Sequence, residues 1–183
     1  MKKLLLGAFL FITVFLNAQC TKGSWLVGGD AGYNYSKLDV NDAEAVSTIT
    51  INPNLGYFVI DKLAVGAVIK FKSTSYAGIS SSMFSAGPFV RYFFADLGEK
   101  AKLFGQGQFT FGSETEPGED ESVSFTGWDL GLGLAYFFNH NVALEAELGY
   151  GSEKPSEHDG IEGIANNSFG LKIGFQIELG GEH

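Results

Sequence analysis

The chain has 183 residues, a single cysteine and a formal net charge of −9 at pH 7. That length suits one domain. The acidic balance argues against nucleic acid as a partner, and one cysteine can make neither an internal disulfide nor a cysteine-based metal cluster.

The first residues read as an export signal. Lys2 and Lys3 give a charged start, and Leu4 to Leu16 an apolar core too short to span a bilayer. Cleavage is expected after Ala18. Removing residues 1–18 leaves ten basic side chains against twenty-one acidic ones, a charge near −11. Cys20 follows Gln19, whereas a lipoprotein signal has a small residue before its cysteine, so an ordinary thiol is expected. The expected domains are the signal (1–18), a barrel (19–179) and a short polar tail (180–183).

After the signal no segment has a helical period, and short alternating segments recur between turn signals. Eight strands are expected. The first, Trp25 to Tyr35, sets Trp25, Val27, Ala31, Tyr33 and Tyr35 against Gly28, Asp30, Gly32 and Asn34. The second, Val46 to Val59, sets Ile49, Ile51, Leu55, Tyr57 and Val59 against Thr48, Thr50, Asn52, Asn54 and Gly56. The third, Leu63 to Ser73, carries Lys70 and Lys72 on its polar face, and the fourth, Met83 to Phe94, carries Arg91. The fifth, Lys102 to Phe111, opposes Lys102, Gln106 and Gln108 to Leu103, Phe109 and Phe111. The sixth, Ser124 to Phe138, holds Asp129 among glycines, and the seventh, Val142 to Tyr150, holds Glu145 and Glu147. The eighth, Ser168 to Leu179, alternates without exception: Phe169, Leu171, Ile173, Phe175, Ile177 and Leu179 on one face; Gly170, Lys172, Gly174, Gln176 and Glu178 on the other. It is expected to close the barrel against the first strand near Asp30. Pro53 and Pro88 lie inside strands and remove ladder donors, which predicts a bulge or local break at each.

Connections after strands two, four and six are short and the others longer, the asymmetry of a transmembrane barrel. Within the strands every charge falls on one face: Asp30, Asp129, Glu145, Glu147 and Glu178 against Lys70, Lys72, Arg91, Lys102 and Lys172. A soluble lipocalin-like barrel would turn this face to water, and a membrane barrel would turn it inward. Glycines crowd the charged face, aromatics gather near both strand ends of the apolar face (Trp25, Tyr57, Phe94, Tyr136 and Phe138; Tyr35, Phe84, Phe111, Tyr150 and Phe169), and the chain carries an export signal. All three favour the membrane. One base facing lipid at mid-depth costs ~2–4 kcal/mol, so outward bases would consume a domain's stability of ~5–15 kcal/mol. The lipocalin-like start Gly23-Ser24-Trp25 has no supporting pattern. The expected fold is an all-β, eight-stranded antiparallel up-and-down transmembrane barrel with a charge-filled lumen, plugged by ion pairs and by Gln106, Gln108, Gln176, Asn52 and Asn54.

The segments Ile51 to Phe71 and Gly127 to Tyr150 resemble the repeated hairpins of small outer-membrane β-barrels of the OmpA/OmpX type, in the porin-family version common in Bacteroidetes. The resemblance covers essentially the whole mature chain. It implies outer-membrane localisation, a monomer, and no shared catalytic motif or cofactor. Such barrels usually finish on an aromatic residue, whereas Leu179 is followed here by Gly180-Gly181-Glu182-His183.

Some similar barrels are lipid A-modifying enzymes with a His, a Ser and a carboxylate at the outer rim. His158, Ser156 and Asp159 sit together here, but on a loop rather than at strand ends, and no catalytic residue is expected. His140 lies in a short turn and His183 in the tail. The outer loops hold the excess acid, including Asp39, Asp42, Glu119, Asp120 and Glu121. These are weak candidates for divalent cations that bridge to lipopolysaccharide phosphates. EF-hand spacing is absent, since the sixth position after Asp39-x-Asn41 is Glu44 rather than Gly. The expected role is structural or interactive, through envelope integrity or surface adhesion. A narrow ion-conducting pore is the alternative; a lipid A-modifying enzyme or soluble binder ranks below it.

Overall fold

The computed structural model describes residues 20–36, 46–76, 79–115, 122–156 and 163–180. Eight strands follow one another: β1 (Trp25–Ser36), β2 (Val46–Ile60), β3 (Leu63–Tyr76), β4 (Ile79–Leu97), β5 (Ala101–Thr115), β6 (Ser122–Phe137), β7 (Val142–Pro155) and β8 (Asn166–Leu179). Each pairs antiparallel with its neighbour in sequence, and β1 pairs with β8 to close the barrel. Asp30 lies opposite Gly174 on that seam, as the alternation requires.

The tight connections are local chemistry. Lys62 takes a left-handed φ of 67° in the turn between β2 and β3, and Gly98 one of 77° between β4 and β5. Between β6 and β7, Oδ1 of Asn139 accepts hydrogen bonds from the backbone N–H groups of Asn141 (2.9 Å) and Val142 (2.8 Å), an Asx turn.

Side-chain direction follows the period of two. Leu130, Leu132, Phe169, Leu171 and Phe175 on the apolar face are 53–73 % exposed, whereas Arg91, Glu145, Gln176 and Glu178 on the other are at most 7 % exposed. The apolar face is therefore the outside, which excludes a lipocalin-like interior. Trp25 packs edge-on to Tyr57 at 5.2 Å near one rim, and Trp128 lies 5.7 Å from Tyr150 near the other. The Tyr35 side chain lies outside the described residues.

The strands are longer than the sequence pattern suggests. β4 runs on through Asp96 and β7 through Glu153, so two acids expected in turns and loops lie within strands. The prolines produce ladder breaks without bulges. Between β2 and β3 pairing skips Asn52 and Pro53 and resumes in register; between β4 and β5 it skips Gly87 and Pro88, again in register. On its other side each proline stays paired, Pro53 with Gly29 and Pro88 with Ala67. The register shifts lie elsewhere, between Phe58 and Ile60 and between Phe93 and Ala95, both beside short turns.

The barrel lumen as candidate functional site

The inward residues form layers, taken here from the short-turn end upward. At the floor, residues 20–24 fold across the mouth. The Cys20 amide donates to Oε2 of Glu178 (2.6 Å), and its thiol lies 3.3 Å from Oε1. The Cys20 carbonyl accepts from the Lys62 N–H (2.7 Å). Glu178 is fully buried and also accepts from Nε2 of Gln176 (3.1 Å). Burial, reinforced by the neighbouring Glu178 carboxylate, pushes the Cys20 thiol far above its ordinary range. At 1 % exposure this arrangement leaves no volume for a lipid substituent on the sulfur. Outside the floor, Lys62 and Lys102 share Asp96, at 2.5 and 2.7 Å. The Asp96 hydrogen bond raises the Lys62 ammonium pKa.

Above the floor sits a dry apolar layer: Leu26, Phe58, Phe93, Phe104 and Phe137, each at most 1 % exposed. Phe93 stacks between Phe58 (6.1 Å) and Phe104 (5.6 Å). Sequence reasoning set Phe93 on the face of Arg91 but left Phe58, Phe104 and Phe137 unassigned, because an apolar side chain on the polar face breaks the contrast that marks it. The signal was present in the alternation, which puts Phe104 on the face of Lys102 and Gln106.

The charged half begins at Arg91. Its Nη1 donates to Oε1 of Glu145 (2.5 Å) and Oε1 of Gln176 (2.9 Å), its Nε donates to Oε1 of Gln106 (2.8 Å), and its Cζ lies 4.3 Å above the Phe104 ring. The next layer ties Lys70 and Nε2 of Gln108 (3.1 Å) to Oδ2 of Asp129, and Lys172 to Glu147 (3.3 Å) and Asp129 (3.7 Å). Asp30 accepts from Nδ2 of Asn52 (2.6 Å). Highest is Lys72, 3.5 Å from Glu153.

The expected lumen charges thus all face inward, but their pairing differs from a simple match of five acids with five bases. Lys72 and Lys102 pair with Glu153 and Asp96, which the sequence placed outside the strands. Asp30 and Glu178 hydrogen-bond to neutral groups instead. Asp39, Asp42, Glu119, Asp120, Glu121, His158 and Asp159 lie outside the described residues.

A closed antiparallel barrel with its charges inside and a belt of exposed apolar side chains defines a protein that crosses a membrane with strands. The chain matches the family described as "Outer membrane protein beta-barrel domain" over residues 4–179, and it belongs to that family of the outer membrane. Solved structures show the same fold. Neisserial surface protein A is 16 % identical with a TM-score of 0.57, over 86 % of this chain and 98 % of that one. OprG of Pseudomonas aeruginosa is 13 % identical with a TM-score of 0.54, over 87 % and 97 %. The N-terminal barrel domain of OprF of Pseudomonas aeruginosa is 15 % identical with a TM-score of 0.50, over 86 % and 98 %. No curated protein matches the chain.

Proposed function

We propose that the protein is a non-conducting, non-catalytic outer-membrane barrel with a structural or interaction role, contributing to envelope integrity or surface adhesion through its acidic outer loops. One observation carries the non-conducting part: the Arg91–Glu145 pair, buried on both sides, rests on a dry layer of phenylalanines that fills the lumen beneath it. An ion entering from the long-loop end meets first a buried pair and then an apolar barrier, and moving a bare charge into such a layer is costly.

On this reading the barrel is a monomer anchored by outer-membrane lipid. Carboxylates at Asp39, Asp42, Glu119, Asp120 and Glu121 bind divalent cations weakly and bridge to lipopolysaccharide phosphates. Recording in planar bilayers tests the lumen. The expected outcome is no unitary steps from the wild-type chain. Steps that vanish in Lys70→Gln or Glu145→Gln would overturn the reading in favour of a narrow pore. Unchanged lipid A mass in cells expressing the protein is the outcome expected of a non-catalytic barrel, and an altered mass would overturn that part of the reading.

A further inference from the structure

The strap of residues 20–24 across the floor is tied down as far as its first residue. The Gly23 N–H donates to the Phe58 carbonyl (2.9 Å), the Lys22 N–H to Oδ1 of Asp61 (2.8 Å), and the Lys62 N–H to the Cys20 carbonyl (2.7 Å). Cys20 takes a left-handed φ of 61°, a conformation that a residue with a side chain rarely adopts. The strap therefore meets β8 at a fixed place, with the Cys20 amide 2.6 Å from Oε2 of Glu178.

Glu178 is fully buried, and its side chain is met by the Cys20 amide, the Cys20 thiol and Nε2 of Gln176. The acids higher in the lumen each have a base: Glu145 has Arg91, Glu147 has Lys172 and Asp129 has Lys70. Among the described residues Glu178 has none, and Lys62 and Lys102 are both taken by Asp96. A carboxylate withdrawn from water needs an opposite charge as well as hydrogen bonds. On the same strap Oγ1 of Thr21 is buried with no hydrogen-bond partner. An ammonium at the start of the strap supplies the missing charge and carries donors for both acceptors. A metal ion does not fit, because no group of three ligating side chains occurs among the described residues.

We propose that Glu178 is the binding site for the chain's own α-ammonium, created when the signal is removed. This rests on the reading of residues 1–18 as an export signal. Hydrolysis of the Ala18–Gln19 bond leaves a carboxylate on Ala18 and an ammonium on Gln19. Consecutive Cα atoms lie ~3.8 Å apart, so the new ammonium is one residue from an amide already in contact with the carboxylate. Before hydrolysis the same nitrogen is a neutral amide with a single proton. Signal removal thus completes the floor, and the first residues of the processed chain lock onto its last strand only afterwards.

The test uses the chain purified from outer membranes of cells that express the full sequence. Its mass and first residue come first: the chain should begin at Gln19 with a free amine. A different first residue would overturn the reading of the signal and the proposal with it. A Gln19 whose amine has cyclised onto its own side chain leaves that reading standing and overturns the proposal alone. Acetic anhydride at about pH 7 modifies the α-amine ahead of lysine, whose pKa is ~10.4. In the folded barrel the α-amine should react about ten-fold more slowly than in urea, a comparison that needs no variant. Chains acetylated in urea and refolded in detergent should unfold about ten-fold faster than unmodified ones. Glu178→Gln keeps an acceptor for the Cys20 amide but no charge, so acetylation should leave its unfolding rate unchanged. Equal reactivity of the amine in folded and unfolded chains, or an equal effect of acetylation in wild type and Glu178→Gln, would sink the proposal.

Discussion

A Cβ placed on Gly133 would stand 2.3 Å from Cζ of Phe104, and one on Gly66 would stand 2.7 Å from Cε1 of Phe89. At these two positions the missing Cβ leaves room for a ring on a neighbouring strand. Gly133→Val should therefore cost about 1–3 kcal/mol or more through overpacking, read as a lower urea midpoint with intrinsic tryptophan fluorescence as the probe. Cys20 makes a second residue-scale case. Its thiol is enclosed and held protonated, so a maleimide should label it only after unfolding. Below pH 9.0, the ordinary thiol value, both folded and unfolded chains keep the proton and Cys20 contributes no pH dependence. Above it the unfolded chain ionises while the folded one does not, so stability should fall with rising pH, and Cys20→Ser should remove that part of the slope.

At the scale of the strand, the period of two was sufficient to orient every element. β8 makes the case most plainly: the sequence alternates without exception from Phe169 to Leu179, and in the structure Phe169 and Leu171 are exposed while Gln176 and Glu178 are fully buried. Ile173→Lys places an ammonium on the lipid face at a cost of ~2–4 kcal/mol and should abolish heat-modifiable gel migration. Lys172→Gln, on the inner face, should leave migration unchanged. Strand ends were less legible. Glu153 continues the inward series Glu145, Glu147, Gly149, Gly151, but it sits among Ser, Lys and Pro, whose composition reads as loop. The prolines were legible as donor losses. Their effect is a one-sided gap because the missing N–H of each points at a single neighbour and the other ladder is untouched.

For the whole molecule, charge could be sorted by face from sequence but not by height. The face assignment follows from the alternation alone. Height depends on the stagger between strands, and only the paired register shows that Phe58, Phe93 and Phe104 meet at one level while Arg91 and Lys70 lie above them. The result is a lumen with two solvents: an apolar layer above the floor, whose rings need no partner groups, and an ionic upper half in which each charge must find one. Breaking the deepest pair by Glu145→Ala should cost about 3–5 kcal/mol, since it strands a buried guanidinium. Replacing both Arg91 and Glu145 with apolar residues of similar volume should cost far less. Paired denaturant titrations of the single and double variants separate the two effects.

The seam where β8 meets β1 also bears on how the chain acquires its shape. Seven of the eight strand pairings join neighbours in sequence, so each can form as a local hairpin with a modest loss of chain entropy. Only β1 with β8 joins the two extremes of the barrel, Trp25 with Leu179. That pairing is the one step of high contact order, and in such topologies it governs the rate. Substitutions at Leu26 or Ile177 should slow refolding in detergent, while equally destabilising ones in the β4–β5 hairpin should mainly hasten unfolding. The ribbon forms early, and it becomes a barrel when its two ends find each other.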